Sequence, residues 1–345
     1  MKKLAIVSKT VFPILLLIAL LFGIAYPEQA SAPTPPKNIT LTIGGGFPGS
    51  TMFVRAEAIA TLLRKLYPSW TITTLAGAPS SFLQLFNEGK TIDMLTCLGL
   101  PKAYDVVLRT RGRAQTIRPR TVLFTGAAMP QHAIAIEDLP IKSILDLKNK
   151  RYPVKVHVAP GKGGPPDIIT EWFLETYGIT YKDIVSWGGQ IKYVPIKDFA
   201  SAFQSGEINL WFQYTGVPMT DILEAATRVK LKMIPYGATP EILKTIREKT
   251  DLAPWTIQAK TYPFQNEDYK CLACLEGVEV AANFSEDAAY WITKAVWENL
   301  KYLYSCWEGY KETLNREIGI SYTKDYGLPI HPGAQKYYRE VGWLR

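Results

Sequence analysis

The chain has 345 residues, 47% hydrophobic and 20% charged, with 24 Pro and 25 Gly, which is the composition of a folded protein and excludes a disordered or low-complexity one. Lys and Arg (39) exceed Asp and Glu (31), giving a net charge of +8. Only one long apolar run is present, near the N-terminus, so a multi-span channel or transporter is excluded, and the length allows two domains with cores of their own.

Residues 1–32 have the form of an export signal. Lys2, Lys3 and Lys9 precede an apolar run from Val11 to Tyr26, and Ala30-Ser-Ala32 has the small-x-small form of a cleavage site. Pro33 is a poor first mature residue, so an uncleaved N-terminal anchor is the alternative. Either way the folded part is expected outside the cytoplasmic membrane, in the periplasm. A basic exported chain suits an acidic small ligand or an anionic surface and not a nucleic acid. Its dense basic cluster, Arg109, Arg111, Arg113, Arg118 and Arg120, is expected to be a solvated loop.

A Pro-rich linker (33–38) leads into strand Ile39–Ile43, the loop Gly44-Gly-Gly-Phe-Pro-Gly-Ser-Thr51 and a helix with Ala56, Ile59, Leu62, Leu63 and Leu66 on one face. Strand Thr71–Leu75, helix Ser80–Asn87 and strand Ile92–Leu98 follow. This β-α-β-α-β order predicts a parallel sheet with crossover helices. Thr121–Ile136 is predicted as a long extended segment, interrupted near Ala128 and Pro130. A second unit begins at Ile141–Leu147, with strand Val154–Val158, loop Ala159–Pro166 and a helix carrying Ile168, Ile169, Trp172, Phe173 and Tyr177 up to Gly178. Tyr193–Pro195, helix Phe199–Gln204, strand Ile208–Phe212 and strand Val229–Ile234 repeat the pattern, and Thr239-Pro240 opens a further helix. Leu272–Ala281 is extended again, and Ser285 caps a helix expected to reach about Trp307.

An α/β protein of two lobes is therefore expected, residues 39–132 with 266–345 as one and 133–265 as the other, around a hinged cleft. Ligands in such sheets bind where strand ends meet helix N-termini. Three loops qualify: Gly44–Thr51, Gly77–Ser81 and Ala159–Pro166.

The chemistry of those loops is narrow. Gly44, Gly46 and Gly49 fit G-x-G-x-x-G, but a dinucleotide site also needs an acid at the end of the second strand, and Thr71–Pro79 holds none. What remains is an approach of a ligand to main-chain N–H groups at a helix end that favours negative charge. Gly161-Lys-Gly-Gly164 lacks the spacing of a P-loop; Lys162 is either a solvated loop cation or the donor of a charge-assisted bond to a carboxylate. His132, His157 and His331 form no triad, and no G-x-S-x-G elbow exists, so no catalytic residues are expected. Cys271-Leu-Ala-Cys274 lies in a strand, where positions three apart face opposite ways, so structural thiols or a bridge to another Cys are expected, and neither a metal site nor a cofactor. Cys97, at the end of the third strand, is placed at the cleft. Trp187, Trp211, Tyr214 and Trp255 suit a ligand with an apolar or planar part.

The order of the segments Ile43-Gly-Gly-Gly-Phe-Pro-Gly-Ser-Thr-Met52, Asn87-Glu-Gly-Lys-Thr-Ile-Asp93, Ile144-Leu-Asp-Leu-Lys-Asn-Lys-Arg151, Gly206-Glu-Ile-Asn-Leu-Trp-Phe212, Gly216-Val-Pro218 and Thr261-Tyr-Pro-Phe-Gln265 resembles the TAXI family of TRAP-associated extracytoplasmic solute receptors. The resemblance runs from about Ile39 to about Trp307. It implies a periplasmic-binding-protein fold (type II) that closes on a small carboxylate, such as a glutamate-like amino acid or a dicarboxylic acid. It further implies delivery to a TRAP-type membrane permease. The glycine loop matches at Gly44, Gly46 and Gly49. Elsewhere Ala78, Pro79 and Phe82 stand where the family has Gly-Ser and then Asn, Leu98, Gly99 and Leu100 replace polar residues, and Lys162 and Gly164 replace the Ser and Thr of a Gly-Ser-Gly-Thr turn. Fewer donors remain, so a carboxylate with a larger apolar part is expected.

The expected site draws on Gly45, Gly46, Phe47, Gly49, Ser50 and Thr51 from the first loop, and on Pro79, Ser80 and Ser81 from the second. Cys97 adds to these. Lys162, Gly163 and Gly164 would face them from the other lobe, with Gln213, Tyr214 and Gly216 at the border. A monomer with no nucleic-acid partner, no cofactor and no metal is expected. A tethered exported sensor or scaffold, and an exported enzyme, are the rival classes.

Overall fold

Two long strands organise the molecule, one of which is long enough to pair in both sheets. The computed structural model describes residues 34–46, 48, 50–112, 114–315 and 319–345; the export segment and its anchor alternative lie outside them. No helix among the described residues is long and apolar enough to cross a membrane.

In the first half, β1 (Thr40–Gly44) lies between β2 (Thr71–Leu75) and β3 (Met94–Leu98), parallel to both, with Ile43 opposite Thr74 on one side and Met94 on the other. The crossovers are the helices Thr51–Leu66 and Pro79–Asn87, as the element order requires. Helix Thr51–Leu66 starts where the Ser50 hydroxyl accepts from Phe53 N–H at 3.2 Å, and it buries Ala56, Ile59, Ala60 and Leu63. Helix Pro101–Thr110, which the sequence patterns did not reveal, follows β3 directly.

The long strand β4 (Arg120–Ile136) runs without the interruption expected near Ala128. Its first part pairs antiparallel with the last long strand, from Arg120 opposite Ala281 to Pro130 opposite Ala273; from Gln131, opposite Tyr214, it pairs with a strand of the second half. Pro130 marks that change of partner. It has no N–H for a ladder, but its carbonyl still accepts from Thr215 N–H at 3.3 Å. The expected interruption is thus a change of neighbour and not a break in the strand.

The second half carries β5 (Lys155–His157), β6 (Gln190–Lys192) and β7 (Leu210–Tyr214), with β5 parallel to both of the others. The second strand of this unit lies at Gln190–Lys192, just before the expected Tyr193–Pro195. β8 (Leu231–Met233) pairs with β4, β9 (Ala253–Ile257) pairs with β10, and β10 (Tyr269–Ala281) returns the chain to the first half. The order is β2-β1-β3-β10-β4-β7-β5-β6. This is a mixed α/β architecture whose parallel units sit at the two ends of one pleated path. The expected helix to Trp307 is broken: it runs Glu286–Glu298, and Leu300–Cys306 follows after Asn299.

One core lies in the first half, around Ile43, Ile59, Leu63, Phe124 and Trp297. The other fills the second half but continues into Leu83, Phe86, Leu95 and Tyr104 of the first. Helix Pro101–Thr110 packs against helix Pro165–Thr176, and Lys102 Nζ reaches Asp251 at 2.6 Å and Glu248 O at 2.6 Å. The halves therefore touch, with apolar side chains shared between them, and Pro36–Arg345 forms one compact unit.

Candidate functional site

The glycine loop is held tightly from below. Gly45 N–H donates to Leu75 O at 2.9 Å and Gly46 O accepts from Gly77 N–H at 3.1 Å, so the first two candidate loops are bonded to each other. A Cβ on Gly45 would lie 3.0 Å from Phe53 Cα, tighter than an ordinary contact, so glycine lets the loop sit close against the helix that follows. Phe47 and Gly49 lie outside the described residues. Pro79 opens helix Pro79–Asn87, and Ser80 and Ser81 on its first turn are exposed.

A carboxylate of the protein itself occupies the neighbourhood that sequence reasoning gave to a ligand anion. Thr51 Oγ1 donates to Glu276 Oε1 at 2.7 Å, and Arg55, one turn further along the helix, donates from Nη2 to Glu276 Oε2. Glu276 and Arg55 are both buried. A negative group beside the first turn of a helix is what the helix dipole favours, so Glu276 satisfies that demand internally. The hydroxyls of Ser50 and Thr51 are already engaged, one as the cap and the other on Glu276.

The same pattern recurs in the other half. Gly163, at φ +68°, donates its N–H to Asp167 Oδ2 at 2.5 Å, and Gly164 is the N-cap of helix Pro165–Thr176. Asp167 is buried and also accepts from Tyr181 Oη at 2.9 Å. Its neighbour Lys162 is exposed, and its ammonium joins no ion pair among the described residues; its carbonyl accepts from Arg111. No hydrogen bond or ion pair among the described residues joins this loop to Gly44–Thr51 or Gly77–Ser81. The structure thus bonds the first two loops to each other.

The remaining candidates are interior. Cys97 is covered by Tyr326, whose Oη lies 3.5 Å from Sγ, and burial, with Glu279 near by, pushes its thiol well above the ordinary range. All four cysteines are free thiols, Cys271 and Cys274 buried on β10. Gln213 is buried, its Oε1 accepting from Tyr214 N–H at 3.2 Å. Tyr214 is buried, and its hydroxyl, kept protonated by burial, has no hydrogen-bond partner among the described residues; Gly216 is half-buried. Directly opposite Tyr214 across the β4–β7 ladder, Gln131 is also buried, and its Nε2 likewise has no hydrogen-bond partner among the described residues. Sequence reasoning missed Gln131, because one polar residue in a long apolar strand gives no signal until its partner strand is known.

The arginine cluster is only partly a solvated patch: Arg109 and Arg111 are exposed, Arg118 is half-buried and Arg120 is buried. Arg120 is buried between Glu279 (2.8 Å) and Asp105 (2.6 Å), which outweigh the desolvation that burial imposes and raise its affinity for the proton. Arg118 lies over the Phe86 ring at 5.1 Å, and Arg111 holds the Lys162 loop. Arg113 lies outside the described residues. Both His132 and His157 are interior and neutral, burial lowering them to about 4 and about 3. His132 bonds Tyr262 Oη at 2.8 Å, a packing role with no nucleophile beside it.

Two α/β halves joined by a shared long strand define the class of the fold. The chain belongs to the NMT1-like family, whose model matches residues 43–342. Among solved structures it is similar to the periplasmic aliphatic sulphonate binding protein SsuA of Escherichia coli. That match has 17% identity, covers 88% of this chain and 83% of the other, and has a TM-score of 0.43. It is also similar to a Bordetella pertussis extracytoplasmic solute receptor binding pyroglutamic acid, with 11% identity, 88% and 92% coverage and a TM-score of 0.40.

Proposed function

We propose that this protein is an extracytoplasmic solute receptor without catalytic activity. In this reading it captures a small carboxylate carrying an apolar or aromatic portion and hands it to a TRAP-type membrane permease. The observation that carries the reading is β4, which pairs with β10 in one half and with β7 and β8 in the other; in this reading β4 and the neighbouring β10 would form the hinge. Residues 39–132 with 266–345 would move as one lobe and 133–265 as the other. Opening would part Lys102 from Asp251 and helix Pro101–Thr110 from helix Pro165–Thr176. Solute would enter from the side of the Gly44–Thr51 and Gly77–Ser81 loops, with Lys162 supplying the unpaired cation of the opposite lobe. The unpartnered Tyr214 hydroxyl and Gln131 amide are further polar groups that a bound solute could satisfy. Residues 1–32 would direct export to the periplasm.

The test is a thermal-shift and calorimetric screen with glutamate, succinate, benzoate, phenylacetate and octanoate. Stabilisation by one or more acids is expected, with Lys162→Ala weakening the best binder about ten-fold, as loss of a charge-assisted bond would. A protein unmoved by every acid would overturn the carboxylate reading. Unchanged affinity in Lys162→Ala would remove that residue from the site.

A further inference from the structure

We propose that the groove between β9 and helix Pro240–Thr250 is a second binding site, for a planar aromatic acid, separate from the glycine-loop region. Its volume is about 1440 Å³, above the roughly 300–1,000 Å³ of most small-ligand clefts. It therefore has room for a molecule of two or more fused or linked rings.

Three features fix the ligand chemistry. The first is an aromatic platform on the wall: Trp255 and Tyr322 lie 5.4 Å apart at 41°, both half-buried, so ring surface faces the opening. The second is the floor, formed by Tyr236, Tyr269 and Cys271, each buried. Tyr269 donates its hydroxyl to Ile234 O at 2.9 Å and Tyr236 donates its own to Gln131. With both hydroxyls committed, ring and thiol are what the floor presents. Leu243 adds apolar rim, one of the few large hydrophobic side chains left exposed among the described residues.

The third feature is charge. Arg247, Lys270 and Lys324 line the groove and join none of the ion pairs among the described residues. The lining acids are more committed. Asp251 is tied to Lys102 at 2.6 Å, Glu248 lies 3.8 Å from Lys244, and Asp268 accepts from Ala259 N–H at 2.9 Å, which leaves Asp325. Uncommitted guanidinium and ammonium groups around an aromatic platform favour an acid whose ring stacks while its anionic group stays at the rim. The walls come from residues 235–272 on one side and 322–327 on the other. The groove's width therefore depends on how these two segments stand to each other.

The experiment titrates the full-length protein with 8-anilinonaphthalene-1-sulfonate, a planar aromatic anion, and follows its fluorescence. Saturation at one molecule per chain is expected. Trp255→Ala and the exposed pair Arg247→Ala with Lys324→Ala should each raise the dissociation constant about ten-fold, while Trp255→Phe should keep most of the affinity. Lys162→Ala should leave this titration unchanged, which separates the groove from the proposed solute site. Circular dichroism of each variant checks the fold; the arginine–lysine pair decides if Trp255→Ala unfolds. Unsaturable binding, or binding indifferent to Arg247→Ala with Lys324→Ala, would overturn the site.

Discussion

Glu276 and Arg55 are the most demanding residues in the molecule, since both are charged and neither is exposed. Thr51 supplies one further bond to the carboxylate, while Arg55 Nε and Nη1 have no hydrogen-bond partner among the described residues and the guanidinium lies over the Tyr310 ring at 5.7 Å. Removing either member strands the other charge in a dry place. Glu276→Gln or Arg55→Leu should therefore cost about 3–5 kcal/mol in urea unfolding, and the double substitution Arg55→Leu with Glu276→Leu should recover much of that loss. Equal and additive losses would mean that the two side chains act independently. His132 gives a pH dependence of definite sign. An imidazole in the unfolded chain takes its proton near pH 6.5, whereas in the folded protein burial delays this to about 4. Protons between those values favour the unfolded chain. The contribution is complete above pH 6.5 and is lost as pH falls towards 4, on the order of 3 kcal/mol in all. A stability profile of His132→Gln, flatter than that of the parent between pH 6.5 and 4, would show it.

At the scale of elements, β4 and β10 decide how the halves communicate. β4 exchanges its neighbour at Pro130, and β10 slips register on either side of Gly277, between Glu276 and Gly277 and again between Val278 and Glu279. Both buried carboxylates, Glu276 and Glu279, lie on the stretch of β10 that pairs with β3. Gly277 has to be glycine, because the Tyr326 ring would lie 2.4 Å from any Cβ there. The helices that begin at Thr51 and Pro165 share one device, a buried acid near the first turn, Glu276 in one case and Asp167 in the other. The two acids differ in origin: Asp167 is local, four residues from Gly163, whereas Glu276 comes from a strand 225 residues away from Thr51.

For the whole molecule, the shared core makes a statement about cooperativity. Leu83, Phe86 and Tyr104 of the first half belong to the same buried cluster as Phe173, Phe199 and Trp211 of the second. Separating the halves would expose apolar surface on both, so calorimetry should give one unfolding transition for the chain, with equal calorimetric and van't Hoff enthalpies. Two resolved transitions would show that the halves fold as independent units and that their contact is weak.

Most strands and helices of both units, the two long extended segments and the capping residues Thr239 and Ser285 were legible in the sequence; helix Pro101–Thr110 and the cap Ser50 were not. The legible features depend on spacing, turn chemistry or apolar periodicity within a few residues. The glycine loop was legible too, since its motif is local. The occupants of the helix ends were not legible. Whether a loop N–H or hydroxyl is free depends on which distant carboxylate the fold carries to it, and nothing near Thr51 announces Glu276. Arg120 likewise reads as a loop cation until β10 delivers Glu279 to it. The contact between the halves and the groove beside Trp255 belong to the same category. They arise from contacts between segments far apart in the chain, which local pattern cannot encode.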